Sequence, residues 1–121
     1  MNIQVVMKQL HQSIISENLT TYRELFESTN SNEVTDPYWK DAIRLYTGLS
    51  NENKAILFKI LEQIEVDTVS TVLRIIDEGL RIEDKELDFQ LTINDHGKPI
   101  NGDLQYLFLE YDEKNRKEAY F

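Results

Sequence analysis

Acid–base chemistry in this chain would run through its two histidines, His11 and His96, or through its carboxylates. Histidine is the side chain that titrates closest to neutrality. His11 lies between Gln9 and Gln12 in an amphipathic stretch, and His96 stands beside Gly97 in a turn-forming segment. A catalytic base needs a partner within hydrogen-bond reach, and the local sequence supplies neither histidine with one. Both read as structural or solvated groups. The adjacent carboxylates Asp77-Glu78 and Glu83-Asp84 could in principle serve as acid and base. On a helix, however, neighbours one residue apart point about 100° apart, so Asp77 and Glu78 do not share a target.

The sequence contains no G-x-S-x-G elbow, no glycine-rich phosphate loop and no H-E-x-x-H pair. Asn94-Asp95-His96-Gly97 resembles a fragment of a calcium loop but lacks the alternating acids and terminal glutamate that hold the ion. Cysteine is absent, which removes disulfides and thiolate chemistry. These residues imply no metal and no cofactor.

One polar constellation stands inside the most apolar part of the chain: Gln63, Asp67, Ser70 and Thr71. Gln63, Asp67 and Thr71 are spaced by four and line one side of a helix. They could grip a partner or small ligand. The alternative is local: hydroxyls bond back to carbonyls one turn earlier, marking a place where the helix changes packing partner.

Charge narrows the field further. The chain of 121 residues carries 22 acids against 13 bases, for a formal charge of −9. Residues 62–88 alone hold nine acids and three bases. Such a field repels phosphate backbones and anionic membranes. It suits solubility, or a basic protein partner. The candidate partner-binding residues are Glu62, Glu65, Asp67, Asp77, Glu78, Glu83 and Asp84. Tyr38 joins them as an aromatic with a polar handle lying off its helix's apolar stripe.

The elements that must position these groups follow from hydrophobic spacing. Ile3, Val6, Met7, Leu10 and Ile14 recur at helical intervals and predict a helix over 3–15. Thr21 and Glu24 match a capping box for a second helix, and residues 27–35 read as a loop. Asp36 and Pro37 are cap and first position of a third helix, with Trp39, Ala42, Ile43 and Tyr46 inside and Gly48 ending it left-handed. Ser50 caps the next helix, whose apolar residues run to Ile76 before Gly79. If continuous over 51–78 it spans about 42 Å. Its apolar direction turns by roughly 80° near residues 65–68, which predicts a bend or a change of packing partner there.

After Gly79, residues 86–93 alternate polar and apolar as a half-buried strand does. Asp95 to Lys98 form a turn, and 98–100 return as a second strand. A last helix follows, with Leu104, Leu107, Phe108 and Tyr111 inside and Asp103 as its cap. From Asp112 the tail is charged and expected to fray. The expected fold is a single, mainly α domain of four to six helices. One short β-hairpin stands between the long central helix and the C-terminal one.

The run Tyr38-Trp39-Lys40-Asp41-Ala42-Ile43-Arg44-Leu45-Tyr46, then Leu49-Ser50 and Gln63 to Ser70, resembles a group of small uncharacterised bacterial proteins. That resemblance covers about the middle half of the chain and implies no activity. The N-terminal stretch has neither the apolar run of a signal peptide nor that of a membrane span, so a cytoplasmic protein is expected. The functional expectation is a protein-binding domain, such as an inhibitor or immunity-type protein covering a basic partner. The alternatives are a homodimer-forming structural domain and a carboxylate-dependent enzyme.

Overall fold

The computed structural model describes residues 2–94 and 97–120, with side chains through residue 116. Its architecture is mainly α. Among the described residues there are four helical rods and one two-stranded hairpin between the long fourth helix and the last. The first rod is a single helical run: α1 (Ile3–His11), a π turn (Gln12–Ser16) and α2 (Glu17–Ser28). Asn2 caps it, its Oδ1 accepting the Gln4 N–H at 2.8 Å. The capping box expected at Thr21 does not form, because the helix never stops before it. The π turn inserts a residue and re-phases the helix without breaking it, so Thr21 and Glu24 stand exposed in mid-helix.

A short 3₁₀ turn (Ser31–Glu33) leads to α3 (Pro37–Thr47). Asp36 caps α3 as its residue type requires, accepting the Tyr38 N–H at 2.9 Å. Gly48 closes the helix at φ −78°, in the right-handed region rather than the left-handed one expected. Ser50 caps α4 (Asn51–Glu78), its Oγ accepting the Asn53 N–H at 3.1 Å.

The chain divides into two compact units, Ser13–Ile64 and Met1–Gln12 with Glu65–Phe121. The boundary in α4 falls at the edge of the stretch where its apolar direction turns. Residues 51–78 are one helix; before the turn Phe58 is its buried residue, and after it Val66, Ser70 and Leu73 are. The polar insertion therefore marks a change of packing partner within an unbroken helix.

In the Ser13–Ile64 unit the core is Phe26, Ile43, Tyr46 and Phe58, with Leu19, Val34, Trp39, Ala42, Leu57 and Leu61 packed around it. The Phe26 and Tyr46 rings stack at 5.0 Å, and Phe58 meets both edge-on. Burying each such ring contributes about 1.5–3 kcal/mol. In the other unit Met7 and His11 of α1 are buried, as are Leu104, Phe108 and Asp112 of α5 (Leu104–Tyr120). Both sets recur at four-residue spacing along one helix face. The tail expected to fray at Asp112 instead continues as helix to Tyr120, because Asp112 is itself an interior group.

The hairpin pairs β1 (Leu80–Ile82) with β2 (Lys85–Leu87), in the register Leu80↔Leu87, Arg81↔Glu86, Ile82↔Lys85. Its strands are not those expected. β2 pairs with the segment before it, and among the described residues the expected partner at 98–100 keeps a single backbone bond, Ile100 N–H to Leu91 C=O at 2.8 Å. Leu80 opens β1 and is exposed rather than folded back on Ile75. Asp95 and His96, placed in a turn by their sequence, lie outside the described residues.

Candidate functional site

Three features bring charged or polar side chains together in the Met1–Gln12 and Glu65–Phe121 unit. The first is interior. His11 is 1% exposed, and its Nε2 lies 2.8 Å from Asp112 Oδ1. Arg116 Nε pairs with Asp112 Oδ2 at 3.0 Å. The ring packs against Phe108 and Tyr111, at 5.2 Å and 4.9 Å. Nε2 faces the Asp112 carboxylate, and Nδ1 is buried without a hydrogen-bond partner. No nucleophile hydrogen-bonds to that nitrogen among the described residues, so the arrangement holds α1 to α5 as a buried polar tie. Asp67, exposed on α4, does not take part.

The second feature is a clasp between the end of α4 and the start of α5. Asp77 Oδ1 accepts the N–H groups of Gly102 and Leu104, at 2.6 and 3.2 Å, and Oδ2 accepts that of Gln105 at 2.9 Å. A carboxylate borrowed from another helix thus receives the free N–H groups at the start of α5, the role expected of Asp103. Asn101 closes the clasp. Its Nδ2 donates to Ile76 C=O and Phe89 C=O, and its Oδ1 accepts the Leu91 N–H. Nothing local in the sequence marks these two residues, because their partners lie 10 to 28 positions away.

The third feature is the hairpin surface. Glu83 and Asp84 form its two-residue turn at φ 47° and 65°. These are the positive values of the type I′ turn that fits strand twist, a turn normally made by Asn-Gly. Glu78, Glu86 and Asp88 stand nearby, with Arg81 and Lys85 the bases of the segment. Arg74 reaches Glu78 at 3.9 Å across exposed surface, a pair that contributes little. A concavity of about 160 Å³ at the hairpin base is lined by Glu78, Gly79, Leu80, Arg81, Glu86, Leu87 and Asp88. Leu80, Ile82 and Leu87 are 40%, 48% and 42% exposed, and Phe89 and Leu91 continue the row.

The sequence-derived candidates therefore separate. Glu83 and Asp84 form the tip of the hairpin, and Glu78 lies at its base. Asp77 is consumed by the clasp. Asp67 is exposed and Glu65 half-buried farther back on α4. Glu62, half-buried, and Tyr38, 66% exposed, belong to the other unit.

The polar helix patch separates too. Thr71 Oγ1 donates to the Asp67 carbonyl at 2.8 Å, the backward bond expected of it. Ser70 is buried and its Oγ accepts from Gln105 Nε2 at 3.0 Å. Gln63 is exposed on the part of α4 that belongs to the Ser13–Ile64 unit.

A shallow groove of about 240 Å³ along α1 and α5 is lined by Gln4, Val5, Lys8, Leu107, Glu110, Tyr111 and Lys114. None of the candidates lines it. Among the described residues no group of three acidic or histidine side chains is placed to share a metal ion, and no helix is long and apolar enough to cross a membrane. No family model, curated protein or solved structure matches the chain.

Proposed function

We propose that this chain is a protein-binding domain whose contact surface is the hairpin and the segment following it, and whose partner is basic. The observation that carries this reading is the conjunction at residues 78–91. Five large apolar side chains are more than a third exposed there, and five carboxylates surround them against two bases. Apolar surface rimmed by charge is the usual composition of a docking site. The Glu83-Asp84 turn supports it. Its first position holds Glu83 where Asn or Gly is favoured and its second lacks the usual Gly, so the tip carries negative charge at the expense of local backbone preference. An inhibitor or immunity-type role fits such a surface, because it would cover a basic face of its target.

The test is capture on the immobilised chain at low and high salt, beside a variant carrying Glu83→Lys, Asp84→Lys and Glu86→Lys. Salt shortens the screening length from roughly 10 Å at 0.1 M to about 3 Å at 1 M. A basic partner retained at low salt, released at high salt and lost by the folded variant is the expected result. Retention that ignores both salt and the three reversals would remove the hairpin from the contact.

A second reading, self-association, rests on a different surface. Ile56, Ile60 and Ile64 of α4 are 45%, 51% and 56% exposed at four-residue spacing, a row suited to a symmetric helix pair. Light scattering of the purified chain measures this directly. A monomer at every accessible concentration would dismiss it.

A further inference from the structure

The register of the hairpin decides which backbone groups remain open. In a two-residue hairpin the pair flanking the turn, Ile82↔Lys85, is hydrogen-bonded, and pairs alternate from there. Lys85 and Leu87 therefore direct their N–H and C=O toward β1, and Glu86 directs its own away. The chain beyond β2 keeps this alternation. Phe89 C=O and Leu91 N–H bond to Asn101, and Leu91 C=O accepts from Ile100 N–H. Lys85 and Leu87 through β2, Phe89 through its C=O and Leu91 through both its groups thus bond on one edge, as alternate residues of an extended chain do. The opposite edge carries the groups of Glu86, Asp88 and Gln90. No hydrogen bond among the described residues uses them.

The side chains alternate with the backbone. Leu87, Phe89 and Leu91 fall on one face, 42%, 39% and 37% exposed. Glu86, Asp88 and Gln90 fall on the other, all exposed. We propose that this open edge accepts an extended segment of the partner as an added β-strand, and that the segment alternates basic and apolar residues. Its apolar positions would lie beside Leu87 and Phe89, and its basic positions beside Glu86 and Asp88. Opposite charges facing each other across strands are favourable and like charges unfavourable. A second copy pairing here antiparallel would set Glu86 and Asp88 against their own counterparts, so charge selects a basic strand over self-pairing. Backbone bonds supply attachment, and the alternation supplies register and choice of partner.

This inference rests on the protein-binding reading above and adds its mode, so the experiment separates the two. The full chain, ¹⁵N-labelled, is titrated with the synthetic peptide acetyl-Lys-Val-Arg-Ile-Lys-Val-amide. The controls are the same residues in block order and an analogue N-methylated at alternate amides. Strand addition predicts that amide exchange at Glu86, Asp88 and Gln90 slows about tenfold or more at saturation. It also predicts that the block-ordered and N-methylated peptides lose this protection. Leu87→Lys, with the Phe58 and Leu104 amides unchanged as a check on folding, loses it too. Equal binding of all three peptides at the hairpin overturns strand addition while leaving an acidic docking surface. Absence of protection by the alternating peptide, with the charge-reversal variant still losing its captured partner, overturns strand addition alone. Absence of both effects overturns the surface as well, and leaves the acids as groups that keep an open edge from pairing with other copies.

Discussion

The interiors of the two units are built by different physics. In Ser13–Ile64 the interior is aromatic: Phe26, Tyr46 and Phe58 interlock, with the Arg23 guanidinium 4.5 Å above the Phe58 ring and Lys54 Nζ 4.7 Å above Tyr46. In the other unit the interior admits a histidine and an aspartate, and a half-buried aspartate caps a helix that is not its own. Apolar packing is non-directional and tolerates small shifts. A buried polar tie demands a particular partner at a particular distance and is costly to leave half-made. The aromatic unit should therefore lose stability in proportion to the volume removed. The polar unit should lose it according to whether both members of a tie are removed or only one.

The largest effect is expected from Phe58→Ala, which empties the centre of the aromatic cluster. Truncating a buried phenylalanine costs about 3–5 kcal/mol, read as a shift of the urea midpoint at unchanged slope. Next comes Asp112→Ala, at about 3 kcal/mol, because it strips His11 and Arg116 of a buried carboxylate. Replacing His11 and Asp112 by leucine and Arg116 by methionine should recover most of that loss, since apolar replacement of a whole buried network is often neutral. If the triple variant is as unstable as the single one, the tie contributes more than mutual satisfaction and the contrast between the units is wrong.

That contrast also explains what could be read from the sequence. Caps are local, so Asp36, Pro37 and Ser50 were legible, and so was the turning of the apolar face of α4. Leu104 and Phe108 followed from spacing alone. His11 was not legible as an interior residue, because its partner lies 101 positions away. Asp112 was misplaced into a frayed tail for the same reason. The hairpin was misregistered because Leu80-Arg81-Ile82 is too short to show alternation and Glu83-Asp84 lacks the Asn-Gly signal of its turn. The π turn left no compositional mark. Of the candidate surface, the hairpin acids Glu78, Glu83 and Asp84 were visible as a charge excess. The exposed edge beside them depends on pairing that only the fold supplies.

Smaller than these core losses is the expected effect of Asp77→Ala. It removes three charge-assisted bonds at the start of α5, each partly replaceable by water at this half-buried site. About 2 kcal/mol is the expected cost. Amide exchange should rise first at Gly102, Leu104 and Gln105, with the Phe26 and Phe58 amides unaffected. A uniform rise across both units would show that the clasp is not local.

The aromatic unit has its own polar exception. Burial and a hydrogen bond to the Glu27 carboxylate push the Tyr46 hydroxyl from 10.0 up to about 12. The folded state therefore holds this proton more tightly than the unfolded chain. The associated stability is fully present below pH 10 and is lost as pH climbs toward 12. Tyr46→Phe should remove that part of the decline, measured as urea midpoints on either side of the window. A variant whose decline matches the parent's would assign the alkaline loss to other groups.

The smallest expected change sharpens the comparison at the surface, where stability and binding should move in opposite directions. Replacing Glu83 by Asn and Asp84 by Gly gives the turn the residues its positive φ values favour. Relief of two left-handed side chains should stabilise the hairpin by about 1 kcal/mol, seen as slower amide exchange within β1 and β2. The same variant loses two carboxylates from the tip, so a basic partner should bind it more weakly and with a shallower salt dependence. Gly79→Ala is the matched opposite. Its Cβ would lie 2.7 Å from the Leu87 carbonyl at φ +92°, so it should loosen the hairpin while leaving every charge in place. If binding follows hairpin stability in both variants, the strand edge governs recognition. If it follows charge alone, the carboxylates act without the strand.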